Sequence, residues 1–102
     1  MLKLDQFKEA KQRLNKVLVD TSLIYSEHFS KECGNHVYIK PENLQRTGSF
    51  KLRGAYNKIA KMDDEAKAKG LIASSAGNHA QGVAYAAKQA GVKSTIVMPA
   101  HT

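Results

Sequence analysis

Residues 46–54, Arg-Thr-Gly-Ser-Phe-Lys-Leu-Arg-Gly, set Lys51 between a phenylalanine and a leucine, with a glycine three residues to either side. An amine becomes a nucleophile when it loses its proton, and desolvation or a neighbouring cation favours that loss. A second loop, residues 74–82, also stands where a helix is predicted to begin. Because the first N–H groups of a helix have no intrahelical acceptor, such loops bind anions. An amine beside an anion-binding turn indicates imine chemistry on a carboxylated molecule, with or without a phosphate.

The elements that must position these loops follow from the hydrophobic periodicity. It predicts helices over 4–18, 52–62, 63–69 and 80–91, and strands over 37–40, 71–75 and 94–99. The strand over 71–75 is predicted to be buried. A strand, a glycine-containing loop, a helix and another strand form a βαβ unit, which implies an α/β fold with a parallel sheet. Loops that follow parallel strands lie at the carboxyl edge of the sheet, where ligands bind. A face of small side chains on the last helix should allow close contact with the sheet: Ala80, Ala84, Ala87 and Ala90.

Composition limits the other function classes. Hydrophobic residues make up 42% of the 102 residues and charged residues 25%, which is typical of a globular chain. The net charge of +7 would suit nucleic acid, but the cations are spread along the sequence without a basic block, so no nucleic-acid partner is expected. The single cysteine and the spacing of the four histidines predict no metal site. No apolar run reaches the ~18 residues of a membrane span, and the charged amino terminus lacks a secretory leader, so a cytoplasmic location is expected.

Two motifs carry a family resemblance. Residues 49–59, SFKLRGAYNKI, together with residues 74–88, SSAGNHAQGVAYAAK, resemble the threonine dehydratase group of fold-type-II pyridoxal-phosphate enzymes. The upstream stretch YIKPENLQRTGSFKLRGA matches as well, and the resemblance covers roughly residues 15–99. It implies the parallel-sheet architecture typical of the tryptophan synthase β subunit. Residues 1–51 would open the large cofactor-binding domain, 52–102 would begin the small domain, and the remainder of the enzyme would lie beyond this amino-terminal piece.

The resemblance also implies roles for individual residues. Lys51 would form the Schiff base with pyridoxal phosphate and move the α-proton of the substrate. Phe50 would pack against the cofactor ring, and Asn78 would hydrogen-bond the 3′-oxygen of the ring. The chain has seven glycines and no two adjacent, so the glycine run that holds the cofactor phosphate in this family would lie elsewhere. The substrate carboxylate would be held by a run of five residues: Ser75, Ala76, Gly77, Asn78 and His79.

One position within that run bears on the reaction. Serine racemases of this fold carry a serine, a second proton donor, directly before Gly-Asn-His, and this chain has Ala76 there. Leu52 and His79 differ from the residues usual in cysteine synthases and threonine synthases. The resemblance therefore implies dehydration and deamination of threonine or serine to 2-oxobutanoate or pyruvate, in amino-acid metabolism such as isoleucine biosynthesis. Serine racemase and a non-catalytic binding or dimerisation module stay open as alternatives. A homo-oligomer, dimer or tetramer, is implied for the full-length enzyme.

Overall fold

Helices and short strands alternate along the chain, and the computed structural model describes all of residues 1–102. Two 3₁₀ turns, Glu42–Leu44 and Arg46–Gly48, precede the third helix. The helices are α1 (Leu4–Leu14), α2 (Glu27–Cys33), α3 (Lys51–Ala60), α4 (Asp64–Lys69) and α5 (Asn78–Gln89), and the strands are β1 (Ile24–Tyr25), β2 (Tyr38–Ile39), β3 (Leu71–Ser74) and β4 (Ser94–Val97).

The strands form two separate pairs. β1 and β2 are antiparallel, with Ile24 opposite Ile39. β3 and β4 are parallel and in register from Leu71 opposite Ser94 to Ser74 opposite Val97. α5 connects the two parallel strands, so the predicted βαβ unit and the α/β class are confirmed.

The core lies where α5 meets α3 and the chain that follows α1. Leu52 of α3 and two alanines of α5 have no exposed surface. Small residues on α5 allow this close packing because they keep the helix axes near each other. The buried cluster consists of Val17, Leu52, Ile59, Ala86, Ala87 and Val92.

The predicted small-residue face of α5 is only partly correct. Ala80 and Ala87 are buried and Ala90 is half-buried, but Ala84 is exposed. Because α5 packs against α3 as well as against the sheet, the buried arc of the helix is shifted towards Gly82 and Ala86.

Other differences arise where local packing outweighs periodicity. α1 ends at Leu14 rather than at residue 18, and Val17 reaches the core through a turn in which its N–H donates to the Leu14 carbonyl (3.0 Å). The strand predicted as buried over 71–75 is covered on one face only, so Ile72 is 80% exposed. α2 and β1 were not predicted from the sequence. None of the helices combines the length and the apolar character that crossing a membrane requires.

Candidate active site

The chain makes a sharp turn immediately before Lys51. Thr47 and Gly48 both adopt left-handed backbone angles, with φ of 65° and 72°. The buried Ser49 follows, and its Oγ accepts a hydrogen bond from the N–H of Lys51 at 3.4 Å. Lys51 is the first residue of α3. The turn therefore presents the lysine at the start of a helix, as the sequence predicted for the end of this loop.

The side chains of Lys51 and Phe50 lie together at the surface. Lys51 Nζ is 5.2 Å from the centroid of the Phe50 ring, which is within the range of a cation–π interaction. The Phe50 side chain is 59% exposed and Lys51 is exposed as well. An amine and an open aromatic face thus stand side by side, and residues 1–102 leave the amine exposed to solvent.

The second loop links β3 to α5. The N–H of Ser75 donates to the Val97 carbonyl at 3.0 Å, which extends the parallel ladder by one residue. The Ser75 hydroxyl accepts from the N–H of Gly77 at 3.3 Å. Ala76, Gly77 and the two residues that begin α5 are all exposed, and the first N–H groups of α5 donate to no acceptor within the chain. This end of α5 has the free donors and partial positive charge that favour an anion.

The two loops meet at Gly82, which lies on the second turn of α5. A Cβ at Gly82 would be 3.1 Å from the carbonyl carbon and the Cβ of Lys51, and 3.1 Å from the N of Leu52. Asn78 lies four residues earlier on the same helix, which is ~6 Å along the axis. The structure therefore brings Lys51 and the beginning of α5 to one location. Gly82 was not identified from the sequence, although a glycine inside an alanine-rich helix was a signal of close approach.

Residues 45–51, which we call the lysine turn, lie beside a charged network that the sequence did not reveal. The Arg53 guanidinium donates from Nε to Oε2 of Glu42 (2.8 Å) and from Nη2 to Oε1 (2.7 Å). The same Arg53 nitrogen donates to Oγ1 of Thr21 (3.1 Å), and the Thr21 hydroxyl donates to Glu42 (2.5 Å). Lys40 Nζ donates to the Thr21 carbonyl at 2.7 Å. Hydrogen bonding by Arg53 lowers the pKa of Glu42 to about 2, and that carboxylate in turn raises the pKa of Arg53.

The segment preceding Thr21 is bound to the same turn. The buried Gln45 side chain pairs with the backbone of Val19: its Nε2 donates to the carbonyl and its Oε1 accepts from the N–H, both at 2.9 Å. Arg46 Nε donates to the Val17 carbonyl at 3.0 Å. Residues 17–21 are therefore hydrogen-bonded to the lysine turn through Gln45 and Arg46, and we call this segment the brace.

The arrangement is suited to a molecule that combines an aldehyde, a flat ring and an anionic group. Lys51 can bind the aldehyde, Phe50 offers a face for the ring, and the start of α5 offers N–H donors to negatively charged oxygens. Since Gly82 has no side chain, α5 can pack directly against the backbone at Lys51 and Leu52, which keeps the lysine close to these donors.

Known proteins share this sequence and fold. The chain is 54% identical over 99 residues to the L-threonine ammonia-lyase of Thermotoga maritima. The aligned region covers 97% of this chain and 25% of that protein. The structure of the processed form of threonine deaminase isoform 2 from Solanum lycopersicum superposes with a TM-score of 0.80 at 39% identity, over 99% of this chain and 29% of that one. The serine racemase from Dictyostelium discoideum superposes with a TM-score of 0.89 at 40% identity, over 97% of this chain and 33% of that one.

The chain thus spans between a quarter and a third of the length of these relatives. The family model described as "Pyridoxal-phosphate dependent enzyme" matches residues 14–102, which is most of the chain and includes both loops. The chain belongs to the pyridoxal-phosphate-dependent enzyme family.

Proposed function

We propose that this chain is part of a longer enzyme that uses pyridoxal phosphate to convert L-threonine or L-serine into 2-oxobutanoate or pyruvate and ammonia. The observation that carries the proposal is the 54% identity to an L-threonine ammonia-lyase over nearly the whole chain. In this proposal residues 1–51 open the large cofactor-binding domain and residues 52–102 begin the small one. The enzyme would act in the cytoplasm as a homo-oligomer.

Lys51 is the residue that binds the cofactor aldehyde. When bound, pyridoxal phosphate supplies an electron sink that makes the α-proton of an amino acid acidic. The Lys51 amine, when it is not bonded to the cofactor, would take and hold that α-proton as a general base. Its position at the first turn of α3, against Gly82 of α5, supports this role. Phe50 offers the aromatic face, and Asn78 at the start of α5 offers a donor to the oxygen on the ring.

The loop of residues 75–79 is proposed to hold the substrate carboxylate. Its support is chemical: the residues from Ala76 to His79 are exposed, and the N–H groups that begin α5 are free of acceptors in the chain. The Ser75 hydroxyl, which now accepts from Gly77, can rotate to donate to a carboxylate oxygen. A carboxylate fixed there would set the α-carbon of the substrate beside the lysine turn.

Serine racemisation is the second candidate, because the likeness to the racemase of Dictyostelium discoideum is strong. Racemisation requires a proton donor on each face of the α-carbon, whereas elimination needs only one base. Ala76 has no group that can carry a proton. One-base elimination at Lys51 is therefore the better fit.

The test uses the full-length protein that contains this sequence, loaded with pyridoxal phosphate. L-threonine and L-serine are supplied separately, and 2-oxobutanoate, pyruvate and D-serine are measured. We expect oxo acids as products, their loss in Lys51→Ala and their retention in Lys61→Ala, a control on an exposed lysine just after α3. D-serine as the main product would favour the racemase. Absence of both turnover and cofactor binding would favour a non-catalytic binding or dimerisation module.

A further inference from the structure

Glu42 and Arg53 close a loop that contains the entire lysine turn. Both oxygens of the Glu42 carboxylate accept from the Arg53 guanidinium, at 2.7 and 2.8 Å. The ten residues between them, 43–52, include the left-handed pair at Thr47 and Gly48 as well as Lys51. A two-bond arginine–carboxylate pair fixes orientation as well as distance, because both groups are planar.

The backbone inside this loop includes a conformation that is unfavourable without support from other contacts. A β-branched residue with a φ of 65°, as in Thr47, is sterically unfavourable and persists only when the surrounding structure over-determines it. The Thr47 hydroxyl is also buried without a hydrogen-bond partner. Both features indicate that contacts outside the turn impose its shape.

The Glu42–Arg53 pair joins the two ends of the loop that contains this strained backbone. The Glu42 side chain is 16% exposed and that of Arg53 is 31% exposed, so solvent screens their attraction only in part. The buried Thr21 donates to Glu42 and accepts from Arg53, and Lys40 holds the Thr21 carbonyl. The pair is thereby joined to the brace of residues 17–21. The backbone of Lys51, within the same loop, also packs against Gly82 of α5.

We propose that Glu42 and Arg53 are positioning residues for Lys51: they hold the turn in its left-handed form and so aim the lysine amine at its target. The inference rests on the proposed function, in which Lys51 binds the cofactor and moves the substrate proton. It assigns Arg53 to the protein's own carboxylate rather than to an anionic ligand. The pair acts through the backbone and contacts neither substrate nor cofactor.

The experiment compares Glu42→Gln and Arg53→Lys with Arg13→Gln in the full-length, cofactor-loaded enzyme. Arg13 is the matched control: it also pairs with a glutamate, Glu9, and also contacts α3, through Asn57 at 3.1 Å, but it lies away from the lysine turn. A displacement of the reacting group lowers kcat more than binding, so we expect kcat to fall about tenfold or more with KM changed less than about twofold. Arg13→Gln should alter neither constant.

Amide hydrogen exchange across residues 46–51 gives a readout independent of turnover. We expect exchange there to accelerate in Glu42→Gln and Arg53→Lys and to stay unchanged in Arg13→Gln. The pH titration of the visible absorption of the bound cofactor should also shift in the first two variants. Thr21→Val removes one hydroxyl from the network and keeps the side-chain shape, so it should give the same changes at smaller amplitude if the charge variants fold poorly.

The outcomes separate the two proposals. If Glu42→Gln lowers only the melting temperature, while kcat and exchange over residues 46–51 match the wild type at a temperature where both are folded, the pair is structural and the inference is wrong. If the wild-type enzyme carries no cofactor on Lys51, the proposed function fails instead. In that case faster exchange over residues 46–51 would still show that the pair fixes the turn.

Discussion

Gly82 of α5 lies so close to Lys51 that a Cβ at Gly82 would be 3.1 Å from two atoms of the lysine. One of these atoms is the carbonyl carbon, so relief would require a shift of the α3 backbone. This contact joins the helix that begins at the proposed carboxylate loop to the helix that begins at the proposed cofactor lysine. The relative position of the two loops therefore depends on the absence of a side chain at residue 82.

Gly82→Ala should destabilise the fold. Alanine is favoured over glycine in a helix interior by ~0.5–1 kcal/mol, but the contact with backbone atoms outweighs that gain, and we expect a net loss of about 1–2 kcal/mol. Denaturant unfolding measures it. Gly54→Ala is the control, because a Cβ at Gly54 in α3 would have no neighbour within 4 Å. That variant should be more stable than the wild type, and equal effects of the two substitutions would contradict the packing argument.

The stability contribution of Glu42 should depend on pH. The pKa of Glu42 is about 2 in the fold against a usual 4.5, so its contribution is present above about pH 4.5 and is lost as the pH falls towards 2. At neutral pH we expect Glu42→Gln to lower the free energy of unfolding by about 2 kcal/mol, and the difference from the wild type to shrink steadily below pH 4.5. Urea unfolding at a series of pH values measures it.

An exposed carboxylate supplies the comparison. Glu65 pairs with Lys69 at 2.9 Å on the surface of α4 with 81% of its side chain exposed. Glu65→Gln should change stability by less than about 0.5 kcal/mol at every pH. A Glu42→Gln effect that is constant between pH 7 and pH 3 would show that charge pairing with Arg53 is not its source.

Gly48→Ala should disturb the lysine site beyond its effect on stability. Gly48 and Gly34 both have positive φ, 72° and 68°, and neither has a neighbour within 4 Å of a Cβ. Forcing alanine into that region costs about 1–2 kcal/mol at either position. Gly34 ends α2, away from the turn, so Gly34→Ala should lose stability only. Gly48→Ala should also slow reaction of Lys51 with pyridoxal phosphate, and equal rates in the two variants would argue against a role for the turn.

The βαβ unit and the position of Lys51 at the beginning of a helix could be predicted from the sequence because their signals are local. β3 and β4 each carry an apolar run, and α5 is an alanine-rich stretch; glycine or proline bounds these segments. α2 was missed because seven residues hold too little periodicity. Its signals were the caps alone, namely Ser26, which accepts from the N–H of Phe29, and Gly34 with its left-handed backbone.

Long-range geometry explains what the sequence left undetermined in the site. Glu42 and Arg53 are eleven residues apart and are joined only because the intervening chain turns back on itself, and Thr21 is a further 21 residues upstream of Glu42. Polar residues in a turn-rich segment give no sign of which partner each will take. The rotation of α5, which buries Gly82 instead of Ala84, was likewise set by contact with α3 rather than by the helix's own pattern.

The measurement that tests the central claim most directly is the location of the cofactor bond. The full-length protein is mixed with pyridoxal phosphate, reduced with borohydride and digested, and the modified lysine is identified by mass spectrometry. We expect stoichiometric modification at Lys51 that disappears in Lys51→Ala and persists in Lys61→Ala. An unmodified Lys51, or a label scattered over surface lysines in the wild type, would contradict it.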